Sequence, residues 1–202
     1  MTNIDPDQAS VSDIRAVTRV GNICALFGPQ VSELTAADIA ERTGLNRTTA
    51  YRYCASMVAA GILDRGSRRG MFALGGMMVE LGLQALERER VLEIAGPHLR
   101  KLSAAVQRTA VLSIPGANRP VVALVAEETS QQVLVTVRVG TKLEATAAQS
   151  SVFRAYESES SIDDVAADLS AADRARLDAD VDAVRRDGYI VVRPRGTTFV
   201  AA

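Results

Sequence analysis

The sequence predicts an α+β protein with an N-terminal winged helix-turn-helix, a linker helix and a C-terminal domain built on an antiparallel sheet. Three observations predict this fold class. Two short helical patterns meet at Gly44, an arginine-rich hairpin follows them, and beyond residue 109 the apolar residues take the spacing of strands. The first two features together are typical of proteins that lay one helix in the major groove of DNA.

Composition excludes several other classes of protein. The chain has 202 residues, 48% of them hydrophobic and 23% charged, with a net charge of −1. These values suit one large or two small globular domains. The N-terminus does not resemble a signal peptide, and no apolar run is as long as a membrane span, so we expect a cytoplasmic protein.

Few residues are suited to catalysis or metal binding. Cys24 and Cys54 fall on predicted buried helix faces, and the single histidine, His98, has no cysteine or carboxylate at the spacing of a metal ligand set. The sequence shows neither a nucleophile paired with a base nor a glycine-rich phosphate loop. We therefore expect no enzyme activity, no catalytic residue, no metal site and no cofactor.

Capping residues define the turn between the two short helices. Thr35 and Asp38 have the spacing of a capping box, which predicts a helix start. Gly44 can adopt the left-handed conformation that ends this helix, and Leu45 can fill the corner. Asn46 is a good N-cap for the next helix. The pattern therefore predicts a tight helix-turn-helix.

The second helix of the pair has one apolar and one polar face. It is predicted from Arg47 to Ala60, with Gly61 closing it, and the residues spaced for its buried face are Ala50, Tyr53, Cys54 and Met57. Side chains able to contact bases or phosphates occupy its other face and its N-terminus, namely Arg47, Thr48, Thr49, Tyr51 and Arg52.

A basic hairpin follows this helix. Ile62–Leu63 and Met71–Leu74 are predicted strands, with Phe72 and Leu74 pointing inward. From residue 45 to residue 74, five arginines accompany a single acid, Asp64, which gives this segment a net charge of +4. The predicted DNA-binding residues are Thr35, Asn46, Arg47, Thr48, Thr49, Tyr51, Arg52, Arg65, Ser67, Arg68 and Arg69.

Other interpretations of this region stay open. A pair of helices joined by a turn can be purely structural, and an arginine-rich turn can be a solvated loop. A winged helix can also be a protein-interaction module that binds no DNA. DNA binding that depends on salt and on base sequence distinguishes the first hypothesis from these alternatives.

Helices flank the predicted DNA-binding region on both sides. Ser12 or Asp13 is expected to cap a first helix that runs to Gly28. After the hairpin, a long helix carries an apolar stripe, which we assign to dimerisation because DNA half-sites call for a symmetric dimer. The alternative is that the stripe packs against its own domain. Its leading members are Met77, Met78, Leu81 and Ala85.

The C-terminal part alternates between helix and strand spacing. Gly96–Pro97 is expected to kink or restart the helix, which continues to Val106. We expect a short helix before Tyr156 and an acidic helical stretch that Gly188 ends, with strands at 110–114, 121–126, 133–139, 189–192 and 197–201. The first three strands would form an antiparallel meander. The predicted domains are 1–75 (DNA binding), 76–90 (linker and dimerisation) and 91–202 (sensor).

The order of these motifs resembles the IclR family of bacterial transcriptional regulators. The specific segments are Leu45-Asn-Arg-Thr-Thr-Ala-Tyr-Arg52 with Ala60-Gly-Ile-Leu63, then Gly70-Met-Phe-Ala-Leu-Gly75, then Leu81-Gly82. They are similar to the family's recognition helix, wing and linker helix. The departure of note is Asn46, where the family usually has proline.

The resemblance implies a homodimer or a dimer of dimers, a palindromic double-stranded DNA operator, and a GAF-like or profilin-like C-terminal domain that binds a small-molecule effector. Correspondence with the family places this effector site at Thr146, Ala147, Ala148, Arg193, Arg195 and Phe199. The two arginines stand where the family has acids, which favours an anionic effector. The alternative is that both are solvated loop arginines.

The family continues beyond residue 202 with a further hairpin and a closing helix. Either the chain is incomplete at its C-terminus or its sensor domain is reduced. A degenerate sensor domain would leave a DNA-binding protein without ligand control.

Overall fold

The computed structural model describes residues 14–88, 90–117, 119–127, 137–156, 169–193 and 198–202. The chain divides into two compact units, Met1–Glu87 and Arg88–Ala202. The helix that we assigned to a separate linker is thus grouped almost entirely with the first unit. Its assignment as a linker stays a prediction.

The first unit packs helices against a small antiparallel sheet. The strands are β1 (Leu34–Thr35), β2 (Leu63–Arg65) and β3 (Met71–Leu74), in the order β1-β3-β2. The helices are α1 (Arg15–Cys24), α2 (Ala36–Thr43), α3 (Arg47–Ala59) and α4 (Gly76–Arg88). This arrangement is the predicted winged helix-turn-helix, with β1 as a third strand that the sequence did not indicate.

The predicted caps of α2 and α3 are present. The Thr35 hydroxyl donates to the Asp38 carboxylate at 2.7 Å and accepts from the Asp38 backbone N–H at 3.2 Å. The hydrogen bonds from Thr35 hold the pKa of the Asp38 carboxyl below its ordinary value. Gly44 ends α2 at φ 68°, and Asn46 accepts the Thr49 backbone N–H at 2.8 Å.

The start of α1 differs from expectation. This helix begins after Ile14, whose side chain makes no capping hydrogen bond. The predicted caps, Ser12 and Asp13, lie outside the described residues.

A single core holds the first unit together. Its fully buried side chains come from α1, α2, α3, β2 and β3, namely Ile23, Ile39, Ala50, Cys54, Leu63 and Phe72, each with 0% exposure. On β3, Phe72 is buried as predicted, but the inward orientation predicted for Leu74 is wrong, since 44% of Leu74 is exposed. The core that covers Phe72 does not extend over the last residue of the strand.

The second unit contains helices and two separate strand pairs. Its helices are α5 (Arg90–Val106), α6 (Ala148–Tyr156) and α7 (Ala171–Asp187). Strand β4 (Ala110–Ile114) pairs with β5 (Val121–Ala126), and β6 (Ile190–Val192) pairs with β7 (Phe199–Ala201), both antiparallel. Helix α5 packs on β4 and β5, while α6 packs on α7, β6 and β7.

The predicted secondary structure of this unit holds in part. The predicted bounds of β4 and β5 are confirmed, and the short helix before Tyr156 is α6. Of the two alternatives predicted at Gly96–Pro97, a kink or a restart, the structure excludes the restart, because α5 continues through Pro97. A proline inside a helix removes one backbone hydrogen bond and favours a kink, so the predicted kink at Pro97 stays a prediction.

Part of the prediction for this unit falls outside the described residues. That part comprises positions 133–136 of the expected third strand, 157–168 of the acidic helical stretch, and Thr197. Residues 137–139 are described and form no strand. The fold class is α+β, as predicted. None of the described helices has the length and apolar character needed to cross a membrane.

Two glycines provide a matched test of the helix-turn-helix geometry. Gly44→Ala should destabilise the first unit by about 1 kcal/mol, because an alanine at φ 68° is strained although a Cβ there would meet nothing within 4 Å. Gly21→Ala, inside α1 and equally free of neighbours, should instead stabilise it by about 0.5–1 kcal/mol. Urea unfolding followed by circular dichroism measures both. Equal effects of the two substitutions would contradict the left-handed turn.

Candidate nucleic-acid interface

The N-terminal half of α3 presents a polar face to solvent. Its apolar residues are fixed in the core, since Ala50 and Cys54 are fully buried. Burial raises the pKa of the Cys54 thiol. The predicted contact residues lie on the other side: Arg47, Thr48, Tyr51 and Arg52 are exposed and Thr49 is half-buried.

One buried ring joins this face to the hairpin. The ring of Tyr51 on α3 meets the ring of Phe72 edge-on, with 6.3 Å between their centroids. The guanidinium of Arg65 on β2 lies 5.1 Å from the centroid of the same ring. An arginine stacked on an aromatic face keeps its N–H edge available to an anion. The structure therefore brings Tyr51 and Arg65 together on adjoining elements.

The tip of the hairpin is a compact turn. The Gly66 N–H donates to the Met71 carbonyl at 2.8 Å, and the Met71 N–H donates to the Arg68 carbonyl at 3.1 Å. Gly70 has φ 87°, a conformation that favours glycine. Arg68 and Arg69 are exposed within this turn, as expected of residues that contact phosphates.

An acid that sequence reasoning missed holds this tip. The backbone N–H of Ser67 donates to one carboxylate oxygen of Glu33 at 2.7 Å, and the Ser67 hydroxyl donates to the other at 2.8 Å. These two bonds, with a smaller contribution from Arg68, lower the pKa of the Glu33 carboxyl. The partners are 34 positions apart, so no local signal indicated the contact.

The two capping residues predicted to bind DNA have their side chains engaged within the protein. The Thr35 hydroxyl completes the capping box with Asp38, and the Asn46 side-chain oxygen caps α3. Both residues therefore shape the interface by positioning α2 and α3.

The predicted effector residues come from three segments of the second unit. Ala148, the first residue of α6, shares a buried cluster with Ile190 of β6 and Ala201 of β7. Thr146 and Ala147 form the turn before α6, Arg193 follows β6, and Phe199 pairs with Val192 across the strand pair. Helix α6 therefore packs beside β6, which Arg193 follows, and beside β7, which begins with Phe199. Arg195 lies outside the described residues.

Two serines near this region have unusual environments. Among the described residues, the hydroxyl oxygens of Ser113 on β4 and Ser151 on α6 are buried and have no hydrogen-bond partner. Helix α6 also reaches β4, because the Gln149 amide donates to the Val111 carbonyl at 3.4 Å. A buried hydroxyl without a partner is costly and can mark a ligand site. Sequence reasoning missed both residues.

The predicted dimerisation residues on α4 are largely exposed in the single chain. Met77 is 40% exposed and Leu81 is 51% exposed, Ala85 is exposed and Met78 is half-buried.

Within the described parts of the chain, no group of three or more histidine, cysteine or acidic side chains could hold a metal ion. Cys24 and Cys54 are both free thiols.

The comparisons with known proteins agree with these features. The model of the IclR helix-turn-helix domain matches residues 16–67. No curated protein matches the chain.

Several solved structures share the fold. An IclR transcriptional regulator of Silicibacter sp. TM1040 is 22% identical, with 90% of this chain and 74% of that chain covered and a TM-score of 0.78. An IclR homolog of Microbacterium hydrocarbonoxydans, solved as a complex with 4-hydroxybenzoate, is 21% identical, with coverage of 92% and 88% and a TM-score of 0.64. A regulator of Alicyclobacillus acidocaldarius is 25% identical, with coverage of 89% and 76% and a TM-score of 0.65. Residues 16–67 therefore form an IclR helix-turn-helix domain, and the chain has the fold of an IclR-family transcriptional regulator.

Proposed function

We propose that the protein is a sequence-specific DNA-binding transcriptional regulator whose binding is controlled by a small anionic metabolite. One observation carries the first half of this proposal. The exposed face of α3 and Arg65 of the hairpin are joined through the buried ring of Phe72, which Tyr51 and Arg65 both contact. A basic helix face next to a basic hairpin matches the shape and charge of a DNA groove and its flanking phosphates.

The residues of this face divide by role. We assign Arg47 and Arg52, in the N-terminal half of α3, to contacts with base edges, because arginine pairs with guanine through two hydrogen bonds. Thr48, Thr49 and Tyr51 add hydroxyl contacts to bases or phosphates. Arg65, Arg68 and Arg69 bind the backbone and carry most of the salt dependence.

A dimer is part of the proposal. Helix α4 exposes apolar side chains around much of its circumference, since Val79 and Leu83 are 61% and 64% exposed in addition to Leu81. A helix that is apolar on several sides is buried in the working protein. A second copy of the chain satisfies this requirement and presents two α3 helices to a palindromic operator.

The effector half of the proposal rests on the second unit. The turn before α6, Ser151 and the strands next to Arg193 and Phe199 form one neighbourhood through the cluster of Ala148, Ile190 and Ala201. An unpaired hydroxyl and an arginine are suited to a carboxylate or phenolate ligand. The 4-hydroxybenzoate complex of the Microbacterium hydrocarbonoxydans homolog supports a ligand of this class.

The main alternatives predict different measurements. A protein-interaction module would bind no operator, and a ligand-independent DNA binder would show operator binding that no metabolite alters. Selection of bound fragments from random DNA by the full chain, followed by binding assays over a range of salt concentrations, decides between these functions.

Arginines of the helix and of the hairpin should respond differently to substitution. Arg52→Ala should cost about 1–3 kcal/mol of operator binding and relax the preference at one base pair. Arg68→Ala with Arg69→Ala should weaken binding to all sequences and reduce the salt slope by about 2. Fluorescence anisotropy on the selected operator and on scrambled DNA measures both. The control is Arg176→Ala, on the exposed surface of α7 in the second unit. Operator binding that Arg52→Ala, Arg68→Ala and Arg69→Ala leave unchanged would reject the assignment of these arginines to the DNA interface.

A charge on the apolar surface of α4 should disrupt the dimer. Leu81→Glu would bury a carboxylate at an apolar interface, so we expect monomers in light scattering and weaker operator binding. Glu87→Lys changes the charge on the polar face of the same helix and should leave the dimer intact. A wild-type protein that is monomeric at micromolar concentration would contradict the dimer.

Substitution of two neighbouring serines, Ser150 and Ser151, distinguishes an effect on ligand binding from an effect on stability. Ser150→Ala removes a hydrogen bond of 2.7 Å from the Ser150 hydroxyl to the Glu144 carbonyl and should destabilise the protein by about 1 kcal/mol. Ser151→Ala removes an unpaired buried hydroxyl and should leave stability unchanged or raised.

If Ser151 contacts the effector, Ser151→Ala should also reduce ligand affinity by roughly fivefold or more. Thermal shift with a panel of small carboxylates that includes 4-hydroxybenzoate measures both effects. A panel in which no compound stabilises the wild-type protein would count against the effector.

A further inference from the structure

The contact between Glu33 and Ser67 is the one ionic clamp that the structure describes at the hairpin tip. Glu33 directly precedes β1, whose residues Leu34 and Thr35 pair with β3. Its two carboxylate oxygens accept the backbone N–H and the hydroxyl of Ser67, at 2.7 and 2.8 Å. Short hydrogen bonds to an ionised carboxylate are among the stronger ones in proteins. The clamp therefore ties the tip to the residue before β1, the edge strand that pairs with β3 on the side away from β2.

The backbone beside Ser67 is shaped to admit this carboxylate. A Cβ added to Gly66 would lie 2.7 Å from the Cβ of Met71 and 3.1 Å from the carboxyl carbon of Glu33. Only a glycine fits between these two neighbours without moving one of them. Gly66 and Ser67 thus close onto Glu33, while Arg68 and Arg69, the next two residues, are exposed.

We propose that Glu33 is a positioning residue for DNA binding, and that Ser67 acts through Glu33 instead of contacting a phosphate itself. The clamp holds the backbone between Arg65 and Arg68 in one arrangement, so that both guanidiniums are presented before DNA arrives. Ordering a loop in advance removes an entropic cost from binding. This inference rests on the proposed DNA-binding function and adds a role that charge alone would not suggest, because an acid next to phosphates is otherwise unfavourable.

The charge of Glu33 and its contact with Ser67 predict opposite changes in DNA affinity when Glu33 is substituted. Removal of an acid from a basic face raises DNA affinity through electrostatics, whereas removal of a clamp lowers it. A double-mutant cycle separates the two effects, since the electrostatic change is present on both sides of the comparison.

The cycle uses Ser67→Ala, Glu33→Ala and the double variant, with operator binding of the full chain measured by fluorescence anisotropy. In the wild-type background, Ser67→Ala should weaken binding roughly fivefold, and in the Glu33→Ala background it should have almost no effect. The matched control is Ser32→Ala, another exposed serine next to Glu33, which should leave affinity unchanged in both backgrounds. Equal weakening by Ser67→Ala in both backgrounds would show a direct phosphate contact and overturn the proposal.

A second readout requires no DNA. Amide hydrogen exchange of Ser67 in the full chain should accelerate roughly tenfold in Glu33→Ala, because its N–H loses the carboxylate acceptor. An exchange rate that does not change would reject the clamp. Absence of DNA binding by the wild-type protein would instead reject the proposed function, so the two failures are distinguishable.

Discussion

The burial of Phe72 is the constraint on which the rest of the N-terminal unit depends. This side chain lies on the central strand of the sheet, where β3 pairs with both β1 and β2. Its ring meets Tyr51 from α3 and Arg65 from β2, so a single buried group fixes α3 relative to the hairpin. Full burial of a phenylalanine side chain contributes about 1.5–3 kcal/mol. The residues proposed to bind DNA are therefore held by apolar packing, while their charges remain at the surface.

Local chemistry decides where the helices of this unit begin and end. The capping box of Thr35 and Asp38, the left-handed Gly44 and the Asn46 cap each act within a few residues, and each could be predicted from the sequence. The same holds for the glycine that ends α7, Gly188 at φ 79°. Predictions of longer range were less successful. Leu74 follows the alternation of a strand but reaches no core, and β1 is too short for its periodicity to be recognised.

The two candidate sites differ in how far they could be predicted. The candidate DNA-binding surface can be recognised in the sequence, because it is a concentration of arginine on consecutive elements, and such a concentration requires no knowledge of tertiary contacts. The proposed effector region comprises α6, β6 and β7, and Ser151 on α6 is notable there only because its hydroxyl is buried without a hydrogen-bond partner. The environment of this serine depends on tertiary packing, so no local pattern in the sequence reveals it. The likeness to solved IclR regulators at 21–25% identity shows that this fold tolerates wide changes in sequence.

By itself, the sequence determined the helix-turn-helix, its basic hairpin and the α+β class, because capping, turn chemistry and hydrophobic periodicity are local properties. Only the tertiary structure decided that Glu33 accepts hydrogen bonds from Ser67, that the Phe72 ring contacts side chains of both α3 and β2, and that the Ser151 hydroxyl is buried without a partner. These contacts join residues from different elements, and their geometry depends on how the whole core packs. Contacts of that kind produce no periodic pattern in the amino-acid sequence.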